Sequence, residues 1–187
     1  MPLAIVTGTS RGLGRALAER LLAQGWSVHG FVRAPDGWAA PGFVAHTVDV
    51  GDPAAVRAAV AAVTADGATI DLLVNNAGVA AMNALLLTPP EVAAELMRVN
   101  YLGSFHCLQA VGKAMVRARR GRILNVTTVA VPLALEGEAA YVASKAAVEA
   151  LTRVAARELA PHGVVVAAVG LGPVDTRLTR AVGAAPL

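Results

Sequence analysis

Apolar residues gather in six short runs, at 3–6, 28–32, 43–48, 70–74, 123–126 and 164–169. Each is rich in branched side chains and bounded by turn signals, which predicts strands buried on both faces. Between the runs the apolar spacing turns helical. Leu13, Leu17 and Leu21 recur every four residues on one face, and Gly25 follows as a helix stop. Asp52 before Pro53 predicts an N-cap with proline in the first turn, and Thr88-Pro89-Pro90-Glu91 has capping-box spacing. The stretch 89–119 is long for one helix and carries Gly103 and Gly112, which offer a place for a bend near its middle. Residues 34–42, with two prolines and two glycines, must be a loop. Strands alternating with helices of this length predict an α/β fold. It is a doubly wound parallel sheet with helices on both faces, because parallel neighbours need a right-handed crossover helix. Ligands of such sheets bind beyond the carboxyl ends of the strands, where strand order reverses.

A chain of 187 residues holds one well-buried domain, taken here as 1–187. With 56% apolar but only 4% aromatic residues, alanine, valine and leucine must build its core. The formal charge of +3 comes from dispersed arginines and implies no nucleic-acid partner; Arg117, Arg119, Arg120 and Arg122 cluster where the helix dipole favours cations. A lone cysteine, Cys107, excludes a disulfide framework and fits a reducing compartment. The N-terminus has no basic leader, and no apolar stretch is long enough for a bilayer, so the expectation is a cytoplasmic protein without a membrane partner. His29, His46, His106 and His162 lack metal-ligand spacing, and no metal is expected.

Candidate chemistry begins directly after the first run, at Thr7-Gly-Thr-Ser-Arg-Gly-Leu-Gly14. Gly8 allows a tight turn, Gly12 lets backbone approach a pyrophosphate, Gly14 permits close helix packing, and helix-start N–H groups face the anion. The absence of a Gly-Lys-Ser/Thr ending argues against phosphoryl transfer. Where an acid usually holds the adenosine ribose of NAD, the second strand ends in Val32-Arg33. Arg33 and Arg11 suit a 2′-phosphate, so NADP(H) is preferred and NAD(H) remains possible; the plain alternative is a solvated loop arginine. Asp49 could receive the adenine amino group or be a neighbour of the Asp52 cap. Asn75-Asn76-Ala77-Gly78 would let backbone lie close to a ribose, although alone it is a turn. Tyr141 and Lys145 share a helical face, and the ammonium would draw the phenol's acidity towards neutrality, making Tyr141 a proton donor. Thr128 could bond a substrate carbonyl, and Asn100 could hold Lys145 through a water; taken singly, both have structural readings.

In this order these residues resemble the short-chain dehydrogenase/reductase family, over residue 3 to about residue 177. The resemblance implies a Rossmann-type fold and hydride transfer between nicotinamide and a small carbonyl or alcohol. It makes Tyr141 the acid/base, Lys145 its activator and ribose holder, Thr128 the family's serine position and Asn100 a relay member. The implied cofactor contacts are Gly8, Ser10, Arg11, Gly12, Leu13, Gly14, Arg33, Asp49, Val50, Asn76, Ala77, Gly78, Tyr141, Lys145, Gly172 and Thr176. Three departures stand out: threonine replaces serine at 128, Gly170-Leu-Gly-Pro173 replaces Asn-Pro-Gly, and the sequence stops at Leu187, where relatives continue through a substrate-covering segment. The last motivates an alternative, a non-catalytic NADP(H)-binding protein with an incomplete substrate site. The family's habit of pairing through its long helices implies a homodimer, with a tetramer doubtful.

Overall fold

The computed structural model describes residues 1–34 and 37–172. Six parallel strands form one sheet: β1 (Leu3–Thr7), β2 (Ser27–Val32), β3 (Phe43–Thr47), β4 (Leu72–Asn75), β5 (Gly121–Thr128) and β6 (Val164–Leu171). Their spatial order is β3-β2-β1-β4-β5-β6, so the chain reverses direction across the sheet between β1 and β4. The helices are α1 (Gly12–Ala23), α2 (Pro53–Val63), α3 (Pro90–Leu96), α4 (Gly103–Ala118), the short α5 (Ala130–Leu133) and α6 (Ala139–Leu159).

Strand alternation divides the core into two layers. Ile5, Leu73 and Ile123 pack with Val56 and Val60 of α2, Val111 and Met115 of α4, and Ala155 of α6. Val6, Val28 and Val74 face the other way, against Ala18 and the leucines of α1. The fold is the expected three-layer α/β/α sheet, with α2, α4 and α6 on one side and α1 on the other.

Local signals explain most element ends. Asp52 caps α2, its Oδ1 accepting from the Ala54 N–H (2.8 Å) and the Ala55 N–H (3.3 Å). Gly25, at φ +81°, ends the turn after α1. Thr88 is a correction: it is not the N-cap of α3, which starts one residue later with Pro89 in that place, and the Thr88 hydroxyl donates back to Ala84 O (3.2 Å). Ile70 is also outside its expected strand. It is 1% exposed, so burial rather than strand pairing explains its apolar character.

The long stretch 89–119 does break up, though by a different device from a glycine bend. A π-helical segment, Met97–Leu102, separates α3 from α4. Gly103 serves contact instead: a Cβ there would lie 2.6 Å from Val50 Cγ2. The fold also joins two histidines that are distant in sequence, with His29 Nδ1 and His46 Nε2 2.8 Å apart on adjacent strands. No group of three or more metal-ligating side chains forms among the described residues, and no described helix is long and apolar enough to cross a membrane.

Candidate nucleotide and proton-transfer site

Two loops leave the carboxyl ends of β1 and β4 side by side at the reversal point, and hydrogen bonds join them into one floor. Thr7 Oγ1 accepts from the N–H groups of Asn76 (3.0 Å) and Ala77 (2.9 Å), while Asn76 Nδ2 donates to Thr7 O (2.9 Å). Gly8 takes φ +76°, and its N–H donates to Phe31 O (2.8 Å). Gly14 lies so close beneath this turn that a Cβ would collide with the Gly8 carbonyl, which is why only glycine fits. Arg15 braces the loop from outside, donating to Thr9 O (3.0 Å) and Ser10 O (3.1 Å) with its guanidinium 4.0 Å from the Trp38 ring centroid.

Unlike α2, helix α1 receives no side-chain cap. Arg11 at its N-cap carries no acceptor, so the first-turn N–H groups stay open to an anion. Arg11 and Arg33 both line the cleft that begins there, a cavity of about 940 Å³. Open amides, two cations and glycines pressed against backbone fit the pyrophosphate and phosphate groups of a dinucleotide.

At the far end of the same cleft stand Thr128, from the end of β5, and Tyr141 and Lys145, from the first turns of α6. Lys145 is 6% exposed, and its Nζ donates to Val126 O (2.9 Å). Burial pushes its pKa down to about 8. The Tyr141 phenol is pushed up from its ordinary value, first by burial; a hydrogen bond with Thr128 opposes this and the Glu138 carboxylate reinforces it. This corrects the expectation that Lys145 draws the phenol towards neutrality. In the protein alone the cost of burying tyrosinate wins, and the ammonium is turned to a backbone carbonyl.

Asn100 is fully buried in the π-helical segment. Its Oδ1 accepts from the Val79 N–H (2.8 Å), and its Nδ2 donates to Val79 O (2.9 Å) and Ser144 Oγ (2.9 Å). The amide is therefore committed to two direct anchors: it ties the loop after β4 to α6. Gly78 lies between them, and a Cβ there would sit 3.1 Å from Asn100 Oδ1 and 3.6 Å from Lys145 Nζ. Below, Asn75 Nδ2 donates to Asn125 Oδ1 (2.8 Å), and Asn125 Nδ2 donates to Thr152 Oγ1 (2.8 Å), fixing α6 to the sheet two turns beyond Lys145.

Of the residues singled out from sequence, Gly8, Ser10, Arg11, Gly12, Leu13, Gly14, Arg33, Val50, Asn76, Ala77, Gly78, Thr128, Tyr141, Lys145 and Gly172 line this cleft. Asp49 stands between the lining residues Val48 and Val50, and its carboxylate accepts from the Gly51 N–H (2.9 Å) and from Arg98 Nη1 (2.9 Å). Thr176 lies outside the described residues. Sequence reading missed Glu138, which lines the cleft and whose own pKa is raised by burial. Its place three residues before Tyr141 was the available signal. Arg98 and Ser144 were also missed; Ser144 carried a signal in sharing a helix turn with Tyr141, whereas Arg98 carried none.

The family described as short chain dehydrogenase matches residues 2–186. The 3-oxoacyl-[acyl-carrier-protein] reductase FabG of Vibrio cholerae is 35% identical over 185 residues, 96% of this chain and 76% of that protein. Among solved structures, the ligand-free aldohexose dehydrogenase of Thermoplasma acidophilum superposes with a TM-score of 0.90 at 30% identity, over 96% of this chain and 69% of that one. A NAD+-bound xylitol dehydrogenase gives 0.87 at 31% identity, over 91% and 70%.

Proposed function

The chain belongs to the short-chain dehydrogenase family and is an NAD(P)-dependent oxidoreductase. From that premise we propose that it reduces a small, uncharged ketone or aldehyde with NADPH. The observation that carries this reading is a single cleft in which Tyr141, Lys145 and Thr128 stand at one end and the glycine-rich turn with Arg11 and Arg33 at the other. The coenzyme, when bound, supplies or accepts the hydride. Gly8, Gly12 and Gly14 would admit its pyrophosphate against the open amides of α1, and Arg11 and Arg33 would take a 2′-phosphate. The NAD+-bound relative keeps NAD(H) as the competing cofactor.

The side chains then divide the work. Thr128 and Tyr141, together at this end of the cleft, converge on the carbonyl oxygen of the substrate. Tyr141 gives that oxygen its proton as charge develops there, and Thr128 steadies the charge by hydrogen bonding. Lys145, swung from Val126 O towards the phenol, stabilises the tyrosinate left behind. Asn100 keeps α6 and the loop after β4 in register through Ser144 and Val79. Ala80, Ala81, Met82, Val129 and Leu135 make the adjoining wall apolar, which favours an uncharged substrate. Leu102, beside α4, and Val154 on α6 are exposed apolar residues, which suits a homodimer formed through these helices.

The test is cofactor oxidation across a panel of neutral and anionic carbonyls, run beside direct NADPH and NADH binding. We expect turnover of neutral substrates with NADPH; clear binding without turnover of any carbonyl would instead favour a non-catalytic nucleotide-binding protein. Glu138 sharpens the panel. Its carboxylate raises the Tyr141 pKa, so Glu138→Gln is expected to move the pH profile of alcohol oxidation to lower pH, because tyrosinate forms more easily. An unmoved profile would separate Glu138 from the proton-transfer step.

A further inference from the structure

Glu138 lines the reacting end of the cleft, half-buried, and its carboxylate makes no hydrogen bond or ion pair among the described residues. It occupies the N-cap of α6, yet its side chain caps no N–H group. Its backbone is already in helical register: Glu138 O accepts from the Val142 N–H (2.7 Å), which sets the residue one turn before Tyr141. Side chains so spaced hold their Cβ atoms about 5–6 Å apart. The position is clamped from the opposite wall. The Asn83 N–H donates to Gly137 O (2.8 Å), and a Cβ on Gly137 would lie 3.2 Å from Met82 Cγ, so the loop after β4 and the start of α6 are joined beside the carboxylate.

The wall around Glu138 is apolar, built by Ala80, Ala81, Met82 and Leu135. In the open cleft solvent hydrates the exposed side of the carboxylate. A substrate seated against Tyr141 and Thr128 displaces that hydration, and a plain ketone would leave the carboxylate oxygens facing carbon, at a cost. A substrate with a hydroxyl close to its carbonyl replaces the lost bond. The rest of this wall offers no partner to further polar groups, which points to one such hydroxyl and not to a chain of them. An ammonium suits the same oxygens but surrenders far more hydration on entering a wall of alanine, methionine and leucine.

We propose that Glu138 is a specificity-determining residue that accepts a hydrogen bond from a substrate hydroxyl, carried on the carbon beside the carbonyl or one further, so that the preferred substrate is a hydroxylated ketone or aldehyde. The carbonyl oxygen then lies between Tyr141 and Thr128 while the hydroxyl turns to Glu138, and the two attachments fix how the carbonyl is presented. The proposal rests on the reading of the chain as a reductase of small carbonyls.

The experiment measures kcat and KM with saturating NADPH at neutral pH for butanone, for the two hydroxybutanones with the hydroxyl on the first or second carbon from the carbonyl, and for the dimethylaminobutanone that carries an ammonium in the latter place. Wild type, Glu138→Gln and Glu138→Leu are compared. Any influence of Glu138 on the phenol is common to all four substrates and cancels when each is referred to butanone. The preference of wild type for the better hydroxybutanone is expected to fall by about tenfold in Glu138→Leu, the scale of one hydrogen bond to a charged group, and mainly through KM. Glu138→Gln keeps an amide oxygen as acceptor and is expected to lose only about threefold; should Glu138→Leu not fold, this isosteric variant carries the comparison. The same hydroxybutanone-to-butanone ratio in wild type and both variants overturns the role of Glu138 and leaves the reductase reading standing. A wild type that prefers the ammonium substrate, with that preference lost in Glu138→Gln, overturns the hydroxyl in favour of a cation. No reduction of any of the four by wild type with NADPH bound overturns the small-carbonyl reading and this proposal with it.

Discussion

Tyr141→Phe is expected to bind NADPH with nearly wild-type affinity while losing turnover by about a thousandfold, within the range that general acid catalysis contributes. The substitution removes one oxygen and keeps the ring that fills this part of the cleft, so the wall between Thr128 and Lys145 stays in place. What disappears is the proton for the carbonyl oxygen, which neither neighbour supplies well. The Thr128 hydroxyl is far too weak an acid, and the Lys145 ammonium is donated to Val126 O. The raised phenol pKa gives the reaction a direction of pH dependence. At neutral pH Tyr141 is protonated, which suits reduction, whereas alcohol oxidation needs tyrosinate and must accelerate as pH rises towards the phenol's pKa. Steady-state rates in both directions, with NADPH binding measured on the same variant, check this. Turnover within a fewfold of wild type would take the proton-donor role from Tyr141.

The order of strands and helices was legible because periodicity is a local signal. Six apolar runs became six strands with every end within two residues of its run, β5 extending two residues further at both ends. Alternation with helices left a doubly wound sheet as the economical topology. The nucleotide turn was legible for the same reason: Gly8, Gly12 and Gly14 are contiguous, and their spacing has a direct backbone meaning. Legibility failed where a side chain's partner comes from a distant segment. The ion pair of Asp49 was hidden because nothing near it in sequence announces Arg98, forty-nine residues on. The anchors of the Asn100 amide were hidden for the same reason, since Val79 and Ser144 lie twenty-one and forty-four residues away. The acidity of Tyr141 failed differently. A pair at i and i+4 shows adjacency, but the sign of a pKa depends on burial, and burial is set by the tertiary fold.

The buried ammonium leads to the second large effect, an enzyme made sturdier by disabling it. Lys145→Met is expected to cut turnover by a hundredfold or more, because tyrosinate loses its counter-charge, and yet to raise folding stability at neutral pH. Folding lowers the Lys145 pKa from its ordinary value of 10.5 to about 8, so the charged form is disfavoured in the native state. At about 1.4 kcal/mol per pH unit, this costs about 3 kcal/mol wherever both states are protonated. Methionine fills a similar volume without that cost. It also abandons the bond to Val126 O, which offsets about 1 kcal/mol, and leaves a net gain of about 2 kcal/mol. For a chain of this length that corresponds to roughly 4–8 °C in Tm. The sign fixes the pH window. Below pH 8 the native and unfolded chains both carry the proton and the penalty is complete; between pH 8 and 10.5 the native lysine sheds it and the penalty shrinks; above 10.5 it is gone. Wild type should therefore close the gap on the variant as pH rises through that interval. Thermal melts of both proteins at neutral pH and near pH 10, without cofactor, read the difference directly. A variant less stable at neutral pH, or a gap indifferent to pH, would mean that Lys145 is held neutral or is better paired than its single carbonyl partner implies.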